Sequence, residues 1–396
     1  MISKKMEGFV KNSSAIRAMF EEGQKMAALY GAENVYDFSL GNPNVPAPEA
    51  VASSIRRILD TVPPVKVHGY MNNAGFPEVR QKIAESINAR FGMALTGEEL
   101  IMTVGAAGGM NVMMKTFLNP GDEVITFTPY FAEYRAYVGN YDGVLVESPC
   151  DPETFEPDVA ALAENVTART RVLIINTPNN PTGVVYSEKT LQAIAAVLTE
   201  KMKEFGTEIY IFSDEPYREL VYGDVEVPYI PKLYKNTVVG YSFSKSLSLP
   251  GERIGYLVIP KEIDDFENVY SAAKTANRIL GFVNAPSLMQ LAAAECLDEK
   301  TDIAFYDRNR RTLYEALTED GFTCVRPDGA FYLWVKSPTE DEKEFIAKAK
   351  EERILLVPGT SFGKSGYVRI AYCVSYETIR GSLPGFKNLA AFYGLS

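Results

Sequence analysis

Lys245 stands just past an apolar run, Val238-Val239-Gly240-Tyr241, in the company of Ser242 and Ser244 and, eight residues on, Arg253. The run reads as a buried strand, so hydroxyls, one ammonium and one guanidinium are delivered together where that strand ends. A lysine held partly out of water has its charged form disfavoured and becomes an amine able to attack a carbonyl or form an imine. Arg253 could grip a phosphate through two parallel bonds, with Ser242 as a further donor. A lysine taken singly is far more often a solvated surface group. The weight therefore rests on what else the chain brings to the same place.

The elements that would do the bringing alternate along the first two thirds of the chain. Apolar strands are expected at 100–104, 123–127, 143–146, 171–175, 208–212, 238–241 and 255–259, with helices at about 157–165 and 188–203. Near-continuous apolar strands separated by helices imply an α/β fold with a mostly parallel central sheet covered on both faces. Ligands of such sheets lie at the carboxyl ends of the strands. Gathered there are Gly105-Ala106-Ala107-Gly108-Gly109, Pro129-Tyr130-Phe131, residues 176–183, Asp214 with Tyr217, and the stretch 242–253. The small-residue turn at 105–109 opens a helix carrying Met110, Val112, Met113 and Phe117, so free N–H groups and the helix dipole favour an anion there, phosphate above all. Close helix–strand packing would ask for the same glycines.

Around this block, Ser13 or Ser14 could cap a helix whose apolar face runs from Ile16 through Tyr30 and which Gly31 can end. Residues 36–40 read as extended and close in Gly41-Asn42-Pro43. Between 47 and 90 the pattern is helical, with Val79, Ile83 and Ile87 on one face, broken by the polar loop 68–75 that holds Tyr70, either a surface aromatic or a phenol aimed at a ligand. Beyond 259 come helices at 263–279 and 285–297, then helix 305–317, strand 331–335, helix 342–352 and strands at 354–357 and 367–371. A chain of 396 residues is longer than one core usually serves. The division expected is an N-terminal segment 1–46 joining a smaller α/β domain at 291–396, with a large cofactor-binding domain at 47–290.

Net charge of −11, from 40 basic and 51 acidic residues without any long basic run, argues against nucleic acid as a partner. No stretch approaches the roughly 18 uninterrupted apolar residues of a membrane span, and residues 1–12 lack a signal-peptide core. A cytoplasmic protein is expected. Cys150, Cys296, Cys324 and Cys373 form no CxxC pair, and His68 is the only histidine, so neither a zinc site nor a disulfide framework is expected.

Lys245, Asp214, Asn180, Tyr217, Arg253 and an anion-binding helix start make a coherent set for pyridoxal 5′-phosphate. An aldehyde cofactor needs an amine, Lys245, and its electron-accepting ring needs a protonated nitrogen, which a carboxylate such as Asp214 can hold. Asn180 and Tyr217 could donate to the phenolic oxygen, and Phe131 offers a face for stacking.

Along nearly its whole length the chain resembles the fold type I, class I/II aminotransferases. The attachment signature is matched by Ser242-Phe243-Ser244-Lys245 leading to Gly251-Glu252-Arg253-Ile254-Gly255. Supporting matches are Asn179-Asn180-Pro181-Thr182-Gly183, Asp214-Glu215-Pro216-Tyr217, Gly41-Asn42-Pro43, the Tyr70 to Gly75 loop, and Pro358-Gly359-Thr360-Ser361-Phe362-Gly363. The resemblance implies that Lys245 binds the cofactor covalently and then moves a proton between the substrate Cα and cofactor C4′, that Asp214 pairs with the ring nitrogen, and that Asn180 and Tyr217 bind O3′. It assigns the phosphate to Ser242, Arg253 and the amides of Ala106 and Ala107, and sends Tyr70 to the phosphate of a neighbouring subunit, hence a homodimer with shared sites. Arg369 would clamp the substrate carboxylate, assisted by Gly41 and Asn180.

The implied activity is transfer of the α-amino group of an L-amino acid to a 2-oxo acid, by ping-pong through the pyridoxamine form, with aspartate- or glutamate-type substrates among the candidates. One aspartate-using branch of the family binds the second carboxylate with a lysine in the first phosphate loop, where this chain has Ala106-Ala107-Gly108; Arg17 could serve instead. A C–S β-lyase would need the same Lys245, Asp214 and Arg369, and a non-catalytic PLP-binding regulator would need an N-terminal DNA-binding domain for which the residues before Tyr36 are too few. Gly359-Thr360-Ser361-Phe362-Gly363-Lys364-Ser365 has three residues between its glycines where a nucleotide-binding P-loop has four.

Overall fold

The computed structural model describes residues 1–11 and 15–395. The caps expected at Ser13 or Ser14, and the side chain of Arg17, lie outside what is described. The helix itself runs Ala15–Tyr30, and Gly31 follows it with φ +85°.

Strands in chain order are β1 (Tyr36–Asp37), β2 (Leu100–Thr103), β3 (Glu123–Thr128), β4 (Val144–Pro149), β5 (Thr170–Asn176), β6 (Tyr210–Asp214), β7 (Thr237–Ser242), β8 (Gly255–Val258), β9 (Cys324–Val325), β10 (Tyr332–Lys336), β11 (Ile354–Leu355), β12 (Val357–Pro358) and β13 (Tyr367–Ala371). Seven of them form one sheet in the order β2-β8-β7-β6-β5-β3-β4. Its pairings are parallel from β7 through β4, and only β8 runs against its neighbours β2 and β7. The central strands β6, β7 and β8 are buried at every residue, which is why they read as continuous apolar runs without alternation. The architecture is the expected α/β one, with helices such as Gly105–Phe117, Glu188–Phe205 and Phe266–Ile279 against the sheet.

A four-stranded sheet, β12-β13-β10-β9, is antiparallel throughout, and β1 pairs in parallel with β11. The N-terminal segment is thereby stitched to the C-terminal part of the chain. Residues 354–357, expected as one strand, are two: β11 pairs with β1, then the chain crosses through buried Leu356 to β12 on a different sheet. An apolar run buried in both sheets carries no mark of the crossing. The helix Tyr376–Tyr393 was not anticipated; Gly381, Pro384 and Gly385 interrupt its pattern. Ser375 caps it, accepting from Thr378 N, and burial of Ile379, Phe386 and Leu389 offsets the poor propensities.

Local rules account for the helices that were foreseen. Ser187 accepts from Thr190 N to open Glu188–Phe205, and Gly206 at φ +65° closes it. Val79, Ile83 and Ile87 line the buried face of Pro77–Phe91. The expected helix at 285–297 shrinks to Ser287–Ala293.

Candidate active site

Register alone assembles most of the site. Asn176 at the end of β5 lies opposite Asp214 at the end of β6, and Asp214 lies opposite Gly240 in β7, two residues before Ser242. Since β8 is antiparallel, its first residue Gly255 lies opposite both Ser242 and Thr103, so Arg253 reaches the edge where β2 and β7 end. A cavity of about 290 Å³ opens at this edge.

Lys245 sits in the short helix Phe243–Ser246, opened by Ser242, whose hydroxyl accepts from Ser244 N. Its Nζ donates to the Gly41 carbonyl at 2.7 Å and lies 5.1 Å from the centre of the Phe331 ring. Burial brings its pKa down to about 8, with the positive charges of Arg369 and Arg253 adding to the fall. The amine is therefore substantially neutral at a pH where an exposed lysine is not.

Asp214 is buried and accepts from Tyr134 Oη at 2.5 Å. Burial pushes its pKa up to about 7; the Tyr134 bond opposes the rise and neighbouring Glu215 adds to it. Glu215 itself is committed to Arg218 and Ser213. Asp214 has no cationic partner among the described residues. Asn176 Nδ2 donates to the Asp214 backbone carbonyl at 2.9 Å and its Oδ1 accepts from Asn180 N at 2.8 Å, tying the β6 end to the loop after β5.

Arg369 comes from the other sheet. It is 2% exposed, yet pairs with no carboxylate among the described residues. Its Nη1 donates to Asn180 Oδ1 at 3.0 Å and its Nη2 to the Ser39 carbonyl at 2.6 Å, while Nε has no partner. The guanidinium lies between the rings of Tyr332, at 4.5 Å, and Phe362, at 4.7 Å. A buried cation with an orphaned N–H is costly unless an anion completes it. Burial lowers its pKa.

The end of the cavity expected to take phosphate is built by the helix Gly105–Phe117 and Arg253. Gly105 has φ +75°, and a Cβ on it would stand 2.8 Å from Arg253 Nη2. Arg253 is itself left-handed at φ +52° and donates to the carbonyls of Pro250 and Val104. Ser242 and Ser244 hydroxyls share a hydrogen bond of 2.7 Å beside it.

Gly41, Ala106, Ala107, Phe131, Asn180, Asp214, Tyr217, Ser242, Lys245, Arg253 and Arg369 all line the one cavity. Tyr70 does not: it is 93% exposed and lies outside it. His68 is exposed at the end of Pro64–His68, and no cluster of metal-ligating side chains occurs among the described residues. Sequence reasoning missed Tyr134 and Tyr332 and gave no role to Asn176, although it gathered residues 176–183 at a strand end. Tyr134 stands near an expected strand end and could have been found there, whereas Tyr332, within a strand, had no local signal.

The donor set fits pyridoxal phosphate. Two guanidinium groups, Arg253 and Arg369, and the Lys245 amine face one carboxylate, so the cavity asks for anionic guests. Asp214 wants a cation where a protonated ring nitrogen would stand, and Lys245 offers the amine.

The family model described as aminotransferase class I and II matches residues 32–382. The aspartate/prephenate aminotransferase of Thermus thermophilus is 34% identical over 357 residues, covering 88% of this chain and 89% of that protein. Among solved structures, an aminotransferase from Eubacterium rectale superposes with a TM-score of 0.96 at 45% identity, covering 99% of both chains. The Thermus thermophilus aspartate aminotransferase with maleate superposes with a TM-score of 0.87 at 30% identity, covering 98% of this chain and 99% of the other.

Proposed function

The chain belongs to the aminotransferase class I and II family, and from that membership we propose that its cavity moves the α-amino group of an L-amino acid to a 2-oxo acid with Lys245 as the proton carrier and Arg369 as the carboxylate clamp. The enzyme is a pyridoxal-phosphate-dependent transferase of fold type I. When bound, the cofactor supplies an aldehyde for the amino group and a ring that stabilises charge developing at the substrate Cα.

The observation that carries the residue roles is the pairing of opposite needs within one cavity: a buried arginine without an anion, and a buried carboxylate without a cation. Arg369, braced by Asn180 and Ser39, presents its remaining N–H groups to a substrate carboxylate and so orients Cα toward Lys245. Lys245 Nζ, near neutral, takes the Cα proton and returns it on the cofactor side. Asp214, charged once paired, would hold the ring nitrogen protonated, and Tyr134 keeps that carboxylate oriented. Asn180 Oδ1 accepts from Arg369, which leaves its NH2 to donate alongside Tyr217 to the phenolic oxygen. Ser242, Arg253 and the first amides of the helix, at Ala106 and Ala107, would hold the phosphate, and Phe131 would offer its face to the ring.

Aspartate-type donors are supported by the names of the Thermus relatives. A homodimer is supported by Tyr70, exposed and outside its own chain's cavity although it matches the family's phosphate-binding tyrosine. The division into 1–46, 47–290 and 291–396 is proposed on the β1–β11 pairing and the separate sheets. No helix among the described residues is long and apolar enough to cross a membrane, and four free thiols suit a cytoplasmic setting.

Mixing the loaded enzyme with single amino acids, without acceptor, is expected to release one equivalent of 2-oxo acid per subunit and stop; adding a 2-oxo acid restores turnover. Continuous release of pyruvate and ammonia without any acceptor would overturn the proposal in favour of β-elimination.

A further inference from the structure

Tyr332 has no part in the phenolic-oxygen site or the clamp as described, yet it touches Tyr217 of the one and Arg369 of the other. On β10 it lies opposite Ala371, as Trp334 lies opposite Arg369, and because alternate residues share a face Tyr332 and Arg369 project to the same side of that sheet. Its ring is 4.5 Å from the Arg369 guanidinium carbon. Its hydroxyl is 2.8 Å from the Tyr217 hydroxyl, with the two rings at 82°. A Cβ on Gly41 would run into the same hydroxyl, so only glycine at 41 leaves room for it.

A phenol has one proton and two lone pairs. Only one of the two protons can occupy the bond between Tyr217 and Tyr332. If Tyr217 gives its proton to Tyr332, none is left for a ligand in the cavity; if Tyr332 gives its own, the Tyr217 proton is released toward the cavity. The positive charge of Arg369 beside Tyr332 favours Tyr332 as the donor. Burial pushes Tyr332 up to about 12, with Arg369 pulling against it, while Tyr217 lies well above the ordinary value.

The geometry points to Tyr332 as a positioning residue that donates to Tyr217, so aiming the single Tyr217 proton at the cofactor's phenolic oxygen, while its ring holds the plane of Arg369 for the carboxylate. This rests on the roles given above to Tyr217 and Arg369. It predicts that hydroxyl and ring can be separated.

Two readouts of the loaded enzyme test this, neither of them turnover: the pH midpoint of the bound cofactor's absorbance, and the dissociation constant of 2-methylalanine, an amino acid without an α-hydrogen. Tyr332→Phe keeps the ring and removes the hydroxyl. Its midpoint is expected to rise by roughly half to one unit, because a poorly aimed donor stabilises negative oxygen less and the adjoining nitrogen keeps its proton to higher pH. Its affinity for 2-methylalanine is expected to stay within about twofold. Tyr332→Leu removes both groups and is expected to add about tenfold weaker 2-methylalanine binding. A Tyr332→Phe midpoint equal to the wild-type one overturns the proposal, and so does a folded Tyr332→Leu that binds 2-methylalanine as the wild type does. Should the leucine variant not fold, the phenylalanine variant still decides. Tyr217→Phe and Arg369→Lys report on the underlying reading: if they leave the midpoint and the affinity respectively unchanged, it is the roles of Tyr217 and Arg369 that fail.

Discussion

Lys245 and Asp214 are perturbed in opposite directions by one cause, burial without a counter-ion in the cofactor-free protein. Covalent attachment at Lys245 is checked by borohydride reduction of the loaded enzyme followed by mass measurement. The wild type is expected to gain the mass of the cofactor and Lys245→Ala to gain none; retention of the adduct by the variant would remove Lys245 from its role. Asp214 binds its proton more tightly folded, at about 7, than unfolded, at 3.8. The folded state therefore holds more protons between those values, and the stability contributed by protonated Asp214 is complete below about 4 and is lost as pH rises through 7. Without cofactor, the thermal midpoint of the wild type is expected to fall across that window relative to Asp214→Asn. Parallel curves for the two proteins would show that Asp214 does not titrate there.

Among the elements, the start of the helix Gly105–Phe117 depends most on a single residue. Gly105 combines a left-handed backbone with a Cβ position that Arg253 Nη2 already crowds. Gly105→Ala is expected to cost about 1 kcal/mol in backbone strain and to displace Arg253, weakening cofactor binding about tenfold or more. Fluorescence titration of the cofactor-free protein measures this, and an unchanged dissociation constant would mean that the phosphate does not lie against Arg253. The same element shows what was legible locally. A strand, a small-residue turn and a helix at 100–117 were readable because propensity and periodicity agree there. The helix Tyr376–Tyr393 was not readable, since Gly381, Pro384 and Gly385 conflict with the burial that stabilises it.

For the molecule as a whole, the cavity draws on two sheets and the N-terminal segment: Lys245 and Asp214 from the large sheet, Arg369 and Tyr332 from the antiparallel one, Gly41 from the stretch after β1. A ligand that bridges them should stabilise the fold by mass action, so cofactor at a hundredfold excess over its dissociation constant should add about 2.7 kcal/mol and raise the melting temperature. An unchanged melting temperature in a saturated sample would argue against a bridging position. If Tyr70 serves a second subunit, light scattering should find two chains per particle, and Tyr70→Phe should loosen the cofactor's phosphate. Full activity in a one-chain particle would sink that reading.

Sequence alone determined the identities at the strand ends and hence the cofactor. Lys245, Asp214, Asn180 and Arg253 follow strands whose apolar runs are unmistakable, and a parallel sheet has one edge at which such residues gather. What only the tertiary structure decided is which uncharged groups stand behind them. Tyr134 under Asp214 and Tyr332 between Tyr217 and Arg369 reach their places through packing across elements 80 and 115 residues apart in sequence. An aromatic residue inside an expected strand looks like core until the fold shows where its hydroxyl points. Period and propensity describe one element at a time, whereas a hydrogen bond between elements depends on how both are packed.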